Sequence, residues 1–304
     1  MAFQRMAFTG ELGPRSAAAL RRAVAFAAEE GASLEIVDAV EQLPAWRRTL
    51  APDAMARAQA LMVEERERKW RRLAARVGNV PVSVSVGRHF EEVTRTLQRR
   101  RCDLLVIHVS GELDNQAMRL MRVCPTPTLL LRPSGAKATG ILAAVDPDPA
   151  DQRRDSLNDA ILSRASELAR TRKLALHVVH AWDLPEESVL RQSTFIGLPV
   201  SEVDAMVRDI AVQRRRHVDA LVARHPARGL VRKVWVERGR PELVVQRAVK
   251  SHRIGLVVMG TVARSGLSGL VLGNTAETVV RTVKCSVLAL KPPGFTSPVR
   301  PSRR

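Results

Sequence analysis

The sequence contains no tyrosine, and aromatic residues make up only 3% of its 304 residues. Proteins that bind single-stranded nucleic acid without sequence preference stack the bases on aromatic side chains, so the chain offers little surface for that function. Its net charge of +18 would still attract polyanions. Many of the arginines alternate with acidic residues or lie on polar faces of predicted helices, as in VEERERKWRRLAARV. We interpret these arginines as solvated faces of helices and expect no specific nucleic-acid partner.

Cysteine is scarce, and long apolar runs are missing. The three cysteines, Cys102, Cys124 and Cys285, show no C-x-x-C spacing, which argues against a disulfide framework or a zinc site. No window approaches about 18 uninterrupted apolar residues, as a membrane-spanning helix would require. The stretch MAFQRMAFTGELGPRS also lacks the apolar core of a signal peptide. These features predict a cytoplasmic protein without a membrane span, in which the cysteines are packing residues.

An internal repeat divides the chain. The stretches GRHFEEVTRTLQRRRCDLLVIH (residues 87–108) and GRPELVVQRAVKSHRIGLVVMG (residues 239–260) align without a gap. Each predicts a turn, an amphipathic helix, a short break and a buried strand. Both halves close with a strand that follows a cysteine, in CPTPTLLLRP and CSVLALKP.

Strands that alternate with helices predict a parallel, doubly wound α/β sheet in each half. We therefore predict two tandem domains with five-stranded parallel sheets of Rossmann-like or flavodoxin-like type. Domain 1 would cover residues 1–135 and domain 2 residues 139–292, joined by the Gly- and Ser-containing linker at 132–140. The basic, proline-rich tail at 293–304 is predicted to be disordered.

The two halves differ after their fourth strand. The second half carries TVARSGLSGLVLGN there, and the first half is nine residues shorter at the same place. A strand, a loop of small residues and a helix start follow one another in the order that phosphate sites use. Asn274 is predicted to be the N-cap of that helix, with Glu277 at the third helical position.

At this loop the chain resembles the universal stress proteins, and over essentially residues 1–292 it resembles their tandem two-domain (UspE-like) class. Nucleotide-binding members of that family carry G-x2-G-x9-G-[ST] after the fourth strand. Gly260 and Gly273 match the first and third glycines of the motif. Ala263 takes the place of the second glycine, and Asn274 takes the place of the hydroxyl residue.

The resemblance implies a site for ATP, or for ADP or AMP, in domain 2, with Mg²⁺ as the companion of ATP. Asp146, at the end of a strand, would border the base together with Pro241. The N–H groups and the positive dipole of the helix start would favour phosphate. The implied ligand residues are Asp146, Gly239, Pro241, Gly260, Thr261, Ala263, Arg264, Gly273, Asn274 and Thr275.

The function implied by the resemblance is an adenine-nucleotide-binding regulatory protein of the stress response. No residue visibly orients an attacking water, so we expect ATP hydrolysis to be slow if it occurs at all. Asn274 and Glu277 could also satisfy each other without a ligand, and Ala263 would cost about 1 kcal/mol if that position needs a positive φ. The alternative is a scaffold that binds no nucleotide and acts through protein–protein contacts. A third hypothesis is nonspecific binding of nucleic acid by the basic helices and tail.

We predict that the first half is a degenerate copy of the second half. His89 replaces the proline of Gly-x-Pro, and His108 replaces the glycine that matches Gly260. We interpret this as loss of the nucleotide site, the alternative being a pocket for another ligand. By the resemblance, the halves would form an internal pseudo-dimer through TPTLLL and SVLALK, with a further homodimer left open.

Other polar residues receive structural interpretations. His177 and His180 lie three apart in a predicted strand and would point to opposite faces, so we predict no metal site there. The carboxylates that follow Asp146 are expected to cap and solvate a helix that begins at about Gln152.

Overall fold

The computed structural model describes residues 2–46, 51–133, 138–192, 198–261 and 272–301. By contacts the chain divides into two compact units. The predicted domains follow the internal repeat. The units instead group residues 261–277 and the last strand of the second half with the first half. Unit 1 comprises Met1–Ser134, Thr261–Glu277 and Ser286–Arg304, and unit 2 comprises Gly135–Gly260 and Thr278–Cys285.

Strands and helices alternate along the chain, as the repeat predicts. The strands are β1 (Arg5–Gly10), β2 (Ser33–Val40), β3 (Val82–Val86), β4 (Leu104–His108), β5 (Thr128–Leu131), β6 (Gly140–Ala144), β7 (Ala175–Trp182), β8 (Val231–Arg238), β9 (Ile254–Gly260) and β10 (Ser286–Leu290). The helices are α1 (Ser16–Glu30), α2 (Pro52–Ala74), α3 (His89–Arg100), α4 (Asn115–Val123), α5 (Gln152–Arg172), α6 (Glu187–Gln192), α7 (Val200–Arg224), α8 (Pro241–Ser251) and α9 (Asn274–Thr282).

Unit 1 contains a parallel sheet in the order β3-β2-β1-β4-β5. Its central strands β1 and β4 are almost wholly buried, as expected when helices cover both faces. β10 joins this unit antiparallel to β5, with Leu288 opposite Leu129. The two strands that sequence reasoning paired therefore do lie side by side, while the pseudo-dimer of the halves stays a prediction.

Unit 2 contains a parallel sheet in the order β9-β6-β7-β8. Helix α5, which packs on β6, begins after Asp151, whose carboxylate accepts hydrogen bonds from the N–H groups of Arg153 and Arg154. The α/β fold class with parallel, doubly wound sheets is confirmed. No helix in the described stretches has both the length and the apolar character needed to cross a membrane.

The segment after β10 differs from the prediction of disorder over 293–304. Up to residue 301 it is held against unit 1: Ser297 Oγ donates to Val123 O at 2.6 Å, and Gln98 Nε2 donates to Val299 O at 3.1 Å. Val299 is buried. Ser297 satisfies one of the carbonyls that the end of α4 leaves free, and this contact with the burial of Val299 accounts for the difference.

Lys291, the residue after β10, closes the same helix end. Its ammonium group donates to the carbonyl oxygens of Met121 and Arg122 and lies 4.2 Å from the ring centroid of Phe295. Burial lowers the pKa of Lys291 to about 8, although the nearby Cys124 acts in the opposite direction.

Candidate functional site

Two of the candidate ligand residues lie at one edge of the sheet of unit 2. β6 and β9 are parallel neighbours with Ala144 opposite Met259. Asp146 follows the end of β6, and Gly260 ends β9, so both occupy the carboxyl edge of adjacent strands. Open α/β sheets hold their ligands at this edge.

Gly260 is a site of close packing. A Cβ atom at this position would lie 2.7 Å from Cδ2 of Leu157, on α5. A side chain at this position would have to displace the end of the Leu157 side chain, so glycine lets Leu157 lie against the strand end.

The carboxylate of Asp146 is partly exposed and surrounded by donors. Its side chain is 42% exposed, and its Oδ2 lies 3.7 Å from a guanidinium nitrogen of Arg154. Its Oδ1 lies 3.6 Å from Nδ1 of His180. Its backbone N–H donates to Oδ1 of Asn158 at 2.9 Å. The surroundings fix the backbone and leave a carboxylate that can accept hydrogen bonds from a ribose or an adenine edge.

His180 is a buried neighbour of the site that sequence reasoning considered only for metal binding. Its side chain is 1% exposed, and Nδ1 lies 3.0 Å from the carbonyl oxygen of Val145. A carbonyl oxygen can only accept, so Nδ1 carries the proton in this contact. His180 thereby ties β7 to the end of β6, just before Asp146.

The Gly239–Pro241 turn follows β8, the strand that pairs with β7. The N–H of Gly239 donates to the carbonyl oxygen of Trp182, at the end of β7, at 2.8 Å. Gly239 has φ +136°, which glycine adopts without strain. Pro241 is the first residue of α8, where its missing N–H costs nothing. The predicted helix start is confirmed, and a role in binding remains a prediction.

The carboxylates after Asp146 behave as predicted from the sequence. Asp151 Oδ1 caps α5 at 3.0 Å from Arg153 N and 3.2 Å from Arg154 N. The Arg154 guanidinium donates to Asp148 Oδ2 at 3.0 Å. These contacts are helix capping and ion pairing. Across the described stretches, no group of three or more His, Cys, Asp and Glu side chains is placed to hold a metal ion.

The base of the glycine-containing loop belongs to unit 1. Gly273 N–H donates to Thr261 O at 3.0 Å, and Thr261 uses both its N–H and its hydroxyl on Leu290 O, at 3.0 and 3.2 Å. Thr261 is 3% exposed, so its hydroxyl serves the fold. Asn274 and Thr275 are exposed at the start of α9. Ala263 and Arg264 lie outside the described residues.

Glu277, predicted at the third position of α9, has a partner that the sequence did not indicate. Its Oε2 accepts from a guanidinium nitrogen of Arg122 at 2.6 Å. This pair lies within unit 1 and links α9 to α4. It offsets the negative charge that would otherwise oppose a phosphate at this helix start.

The corresponding edge of unit 1 is filled by its own side chains. Nε2 of His89 lies 3.1 Å from Thr9 Oγ1 and 3.3 Å from Asp38 Oδ1. The other carboxylate oxygen of Asp38 accepts from Trp70 Nε1 at 2.6 Å and from Arg66 at 3.2 Å. Burial alone would raise the pKa of Asp38, but the hydrogen bonds from His89 and Trp70, with the charges of His89 and Arg66, hold it below its usual value.

His108 occupies the place of Gly260 in unit 1. It pairs with Gly10 of β1, where an added Cβ would come within 2.8 Å of the His108 Cβ. Burial lowers the pKa of His108; a hydrogen bond to Leu131 opposes this, and the charges of Arg22 and Arg15 add to it. His108 therefore packs as a neutral side chain in the place where the other half has a glycine.

Comparison with known proteins fits this geometry. The sequence profile of the universal stress protein family matches residues 7–132 and again residues 140–291. The chain belongs to the universal stress protein family. The tandem match agrees with the internal repeat and with the two α/β units.

Curated relatives carry the same family name. Universal stress protein E of Salmonella typhi is 28% identical over 269 residues, which is 82% of each chain. Universal stress protein E of Escherichia coli K12 is 31% identical over 186 residues, covering 59% of this chain and 55% of that protein. The second match therefore spans about half the length of the relative.

Solved structures share the fold over nearly the whole chain. A Pseudomonas aeruginosa protein of unknown function superposes with a TM-score of 0.67 at 24% identity, covering 96% of this chain and 93% of that one. A universal stress protein from Archaeoglobus fulgidus gives a TM-score of 0.60 at 14% identity, covering 94% and 96%. At these identities the likeness establishes the fold alone.

Proposed function

We propose that this universal stress protein is an adenine-nucleotide-binding regulatory protein of the stress response, with its site in the second half of the chain. The observation that carries the proposal is the carboxyl edge of unit 2, where the partly exposed carboxylate of Asp146 lies beside the glycine end of β9. Another universal stress protein, from Archaeoglobus fulgidus, has been solved in complex with dAMP. The ligand proposed here is ATP, ADP or AMP.

The candidate residues are assigned to different parts of the nucleotide. Asp146 accepts hydrogen bonds from the ribose or the adenine edge, and the turn around Pro241 borders the base. We assign the phosphates and ribose to Gly260, Ala263, Arg264, Gly273, Asn274 and Thr275, and the positive end of the α9 dipole favours anions. Mg²⁺ would accompany ATP and neutralise phosphate charge when bound.

The remaining parts of the proposal concern the whole chain. We place the protein in the cytoplasm, with the two halves as an internal pseudo-dimer and with domain 1 free of nucleotide. It acts as a sensor or binding module, and any ATP hydrolysis is slow. The filled edge around Asp38 and His89 supports the assignment of a single nucleotide site to the second half.

The test is a thermal-unfolding scan with and without Mg-ATP or AMP. A ligand at about 100 times its Kd stabilises the native state by about 2.7 kcal/mol, which raises Tm by several degrees. Asp146→Ala and Gly273→Glu should abolish the shift. Glu11→Ala should keep it. Glu11 is the position of unit 1 that matches Asp146, because it follows Gly10, which pairs with His108, as Asp146 follows the end of β6 beside Gly260.

The second candidate function is a scaffold that binds no nucleotide and works through protein–protein contacts. The glycine-to-alanine replacement at Ala263 and the shortened loop of the first half favour it. Absence of any ligand-dependent shift in the parent protein would refute the nucleotide proposal and leave the scaffold in its place.

A further inference from the structure

A buried asparagine lies directly against the candidate site in unit 2. Asn158 is on the second turn of α5 and is 3% exposed. Its Oδ1 accepts the backbone N–H of Asp146 at 2.9 Å. Its neighbour in the chain, Leu157, packs against Gly260. Asn158 therefore contacts one of the two residues that define the carboxyl edge, and the residue before it contacts the other.

The other end of the same amide has no partner. Nδ2 of Asn158 is out of contact with solvent and finds no acceptor among the residues that the structure describes. The orientation of the amide is fixed, because the N–H of Asp146 needs the oxygen and not the nitrogen. Buried donors are nearly always paired, so a donor left open beside a candidate site points to an acceptor that is not part of the chain.

The matching position of unit 1 shows the contrast. The C-terminal turns of α1 and α5 align through equivalent hydrogen bonds, from Ala32 N to Ala27 O and from Leu174 N to Ala169 O. Counting back along the helices, Ser16 matches Asn158. The Ser16 hydroxyl is fully used: it donates to Glu11 O at 2.8 Å and accepts from Gly13 N at 2.8 Å.

We propose that Nδ2 of Asn158 is a ligand-binding donor of the nucleotide site, giving a hydrogen bond to an oxygen of the nucleotide. The inference rests on the proposed nucleotide function. The contact is direct or passes through one bridging water, and both forms are lost when the donor is removed. The accepting oxygen belongs to the ribose or to a phosphate, which share the same acceptor chemistry.

Two substitutions distinguish the Nδ2 donor of Asn158 from the oxygen that holds the backbone N–H of Asp146. Asn158→Asp keeps an oxygen for the Asp146 N–H and removes the Nδ2 donor, whereas Asn158→Ala removes both. Ser166→Ala is the matched control, because Ser166 is also buried on α5 and its hydroxyl donates only within that helix. Isothermal titration calorimetry measures the Kd of each protein for adenosine, AMP and Mg-ATP, with folding checked by circular dichroism.

Both Asn158 variants should bind about tenfold more weakly than the parent, with Ser166→Ala unchanged. A loss already present with uncharged adenosine assigns the acceptor to the ribose, and a loss confined to AMP and Mg-ATP assigns it to phosphate. Unchanged affinity in both variants overturns the inference. So does a loss in Asn158→Ala alone, because Asn158 would then act only by holding Asp146.

A measurement on the parent protein tests the contact even if the Asn158 variants do not fold. The chain has four asparagines, so selective ¹⁵N labelling resolves their side-chain amides by NMR. The Asn158 amide signal should shift on saturation with AMP, and a signal that stays in place refutes the contact. If the parent binds none of the three probes, the proposed function fails and the inference fails with it. If the parent binds and the Asn158 tests fail, only the inference is lost.

Discussion

The carboxyl edges of the two units can be compared residue by residue. In each unit a glycine N–H donates to the end of the second strand, from Gly87 to Val40 O and from Gly239 to Trp182 O, at 2.9 and 2.8 Å. These bonds fix the equivalence of the two edges. The matched residues are Asp38 with His180, His89 with Pro241, and His108 with Gly260. Glu11 matches Asp146, because Gly10 pairs with His108 and Ala144 pairs with Met259, the residue before Gly260.

The two units satisfy the polar groups at this edge of the sheet in different ways. Unit 1 closes it with a buried network in which His89 joins Thr9 to Asp38, and Asp38 is further held by Trp70 and Arg66. Unit 2 has Pro241 at the position of His89 and His180 at the position of Asp38, and Gly260 takes the place of His108. On our proposal that unit 1 holds no nucleotide, its strand ends need internal partners, and the side chains of unit 1 supply them.

Among the substitutions that test this comparison, one in the network of unit 1 should have the largest effect on stability. Asp38→Ala leaves the buried Nε1 of Trp70 without its acceptor and removes the carboxylate that His89 and Arg66 contact, so we expect a loss of about 3 kcal/mol in the free energy of unfolding. Urea unfolding at pH 7 measures it. Asp148→Ala, which removes a more exposed partner of Arg154, should cost less than about 1 kcal/mol. A loss as small as that in Asp38→Ala would show that the network does not stabilise unit 1.

The ends of the two closing strands also differ, with Arg132 in the first half and Lys291 in the second. The pKa of Lys291 is about 8 in the folded chain, below its ordinary value of 10.5. Between these values the unfolded state binds more protons at this group, so Lys291 should make stability rise with pH from about 8, contributing up to about 3 kcal/mol by pH 10.5. Above about pH 9 the buried thiols of Cys102 and Cys124, whose pKa values burial raises, act in the opposite direction.

Chemical denaturation across this pH range tests the effect of Lys291. Lys291→Met should flatten the rise, because the titrating group is gone. Lys250→Met, at an exposed lysine, should leave the rise as in the parent. An unchanged slope in Lys291→Met would show that burial of Lys291 is not its source.

Much of the fold could be predicted from the sequence because the signals are local and repeated. The apolar strands, the Gly-x-Pro helix start and the capping of α5 by Asp151 each depend on a few neighbouring residues. The tail was mispredicted because Val299 and Ser297 find partners on α3 and α4 that are distant in sequence.

The filled edge of unit 1 could not be predicted for a geometric reason. Aligning the halves on their Leu-Pro dipeptides places Asp38 opposite Val179, whereas the hydrogen bonds of the structure place it opposite His180. A shift of one residue in a strand turns every side chain to the other face. The network of Asp38 and the tether of His180 were hidden by this shift.

A smaller effect tests the close packing that distinguishes unit 2. Gly260→Ala places a methyl group against Leu157, so we expect a loss of about 1–2 kcal/mol in stability and weaker binding of Mg-ATP. Gly229→Ala is the control, because a Cβ there meets nothing within 4 Å. Thermal unfolding and calorimetry of both variants decide the matter. If Gly260→Ala is as stable as the parent and binds equally well, then glycine is not required at this edge.

The smallest effect is expected at Ser16, the matched partner of Asn158. Ser16→Ala removes the hydroxyl that joins Glu11 O to Gly13 N at the start of α1, which should cost about 1 kcal/mol of stability. Nucleotide affinity should stay as in the parent, because in our interpretation the edge of unit 1 holds no nucleotide. Chemical denaturation and calorimetry with Mg-ATP measure the two quantities on one protein. A loss of affinity in Ser16→Ala would place nucleotide at unit 1 and reverse the roles that the comparison gives to the two edges.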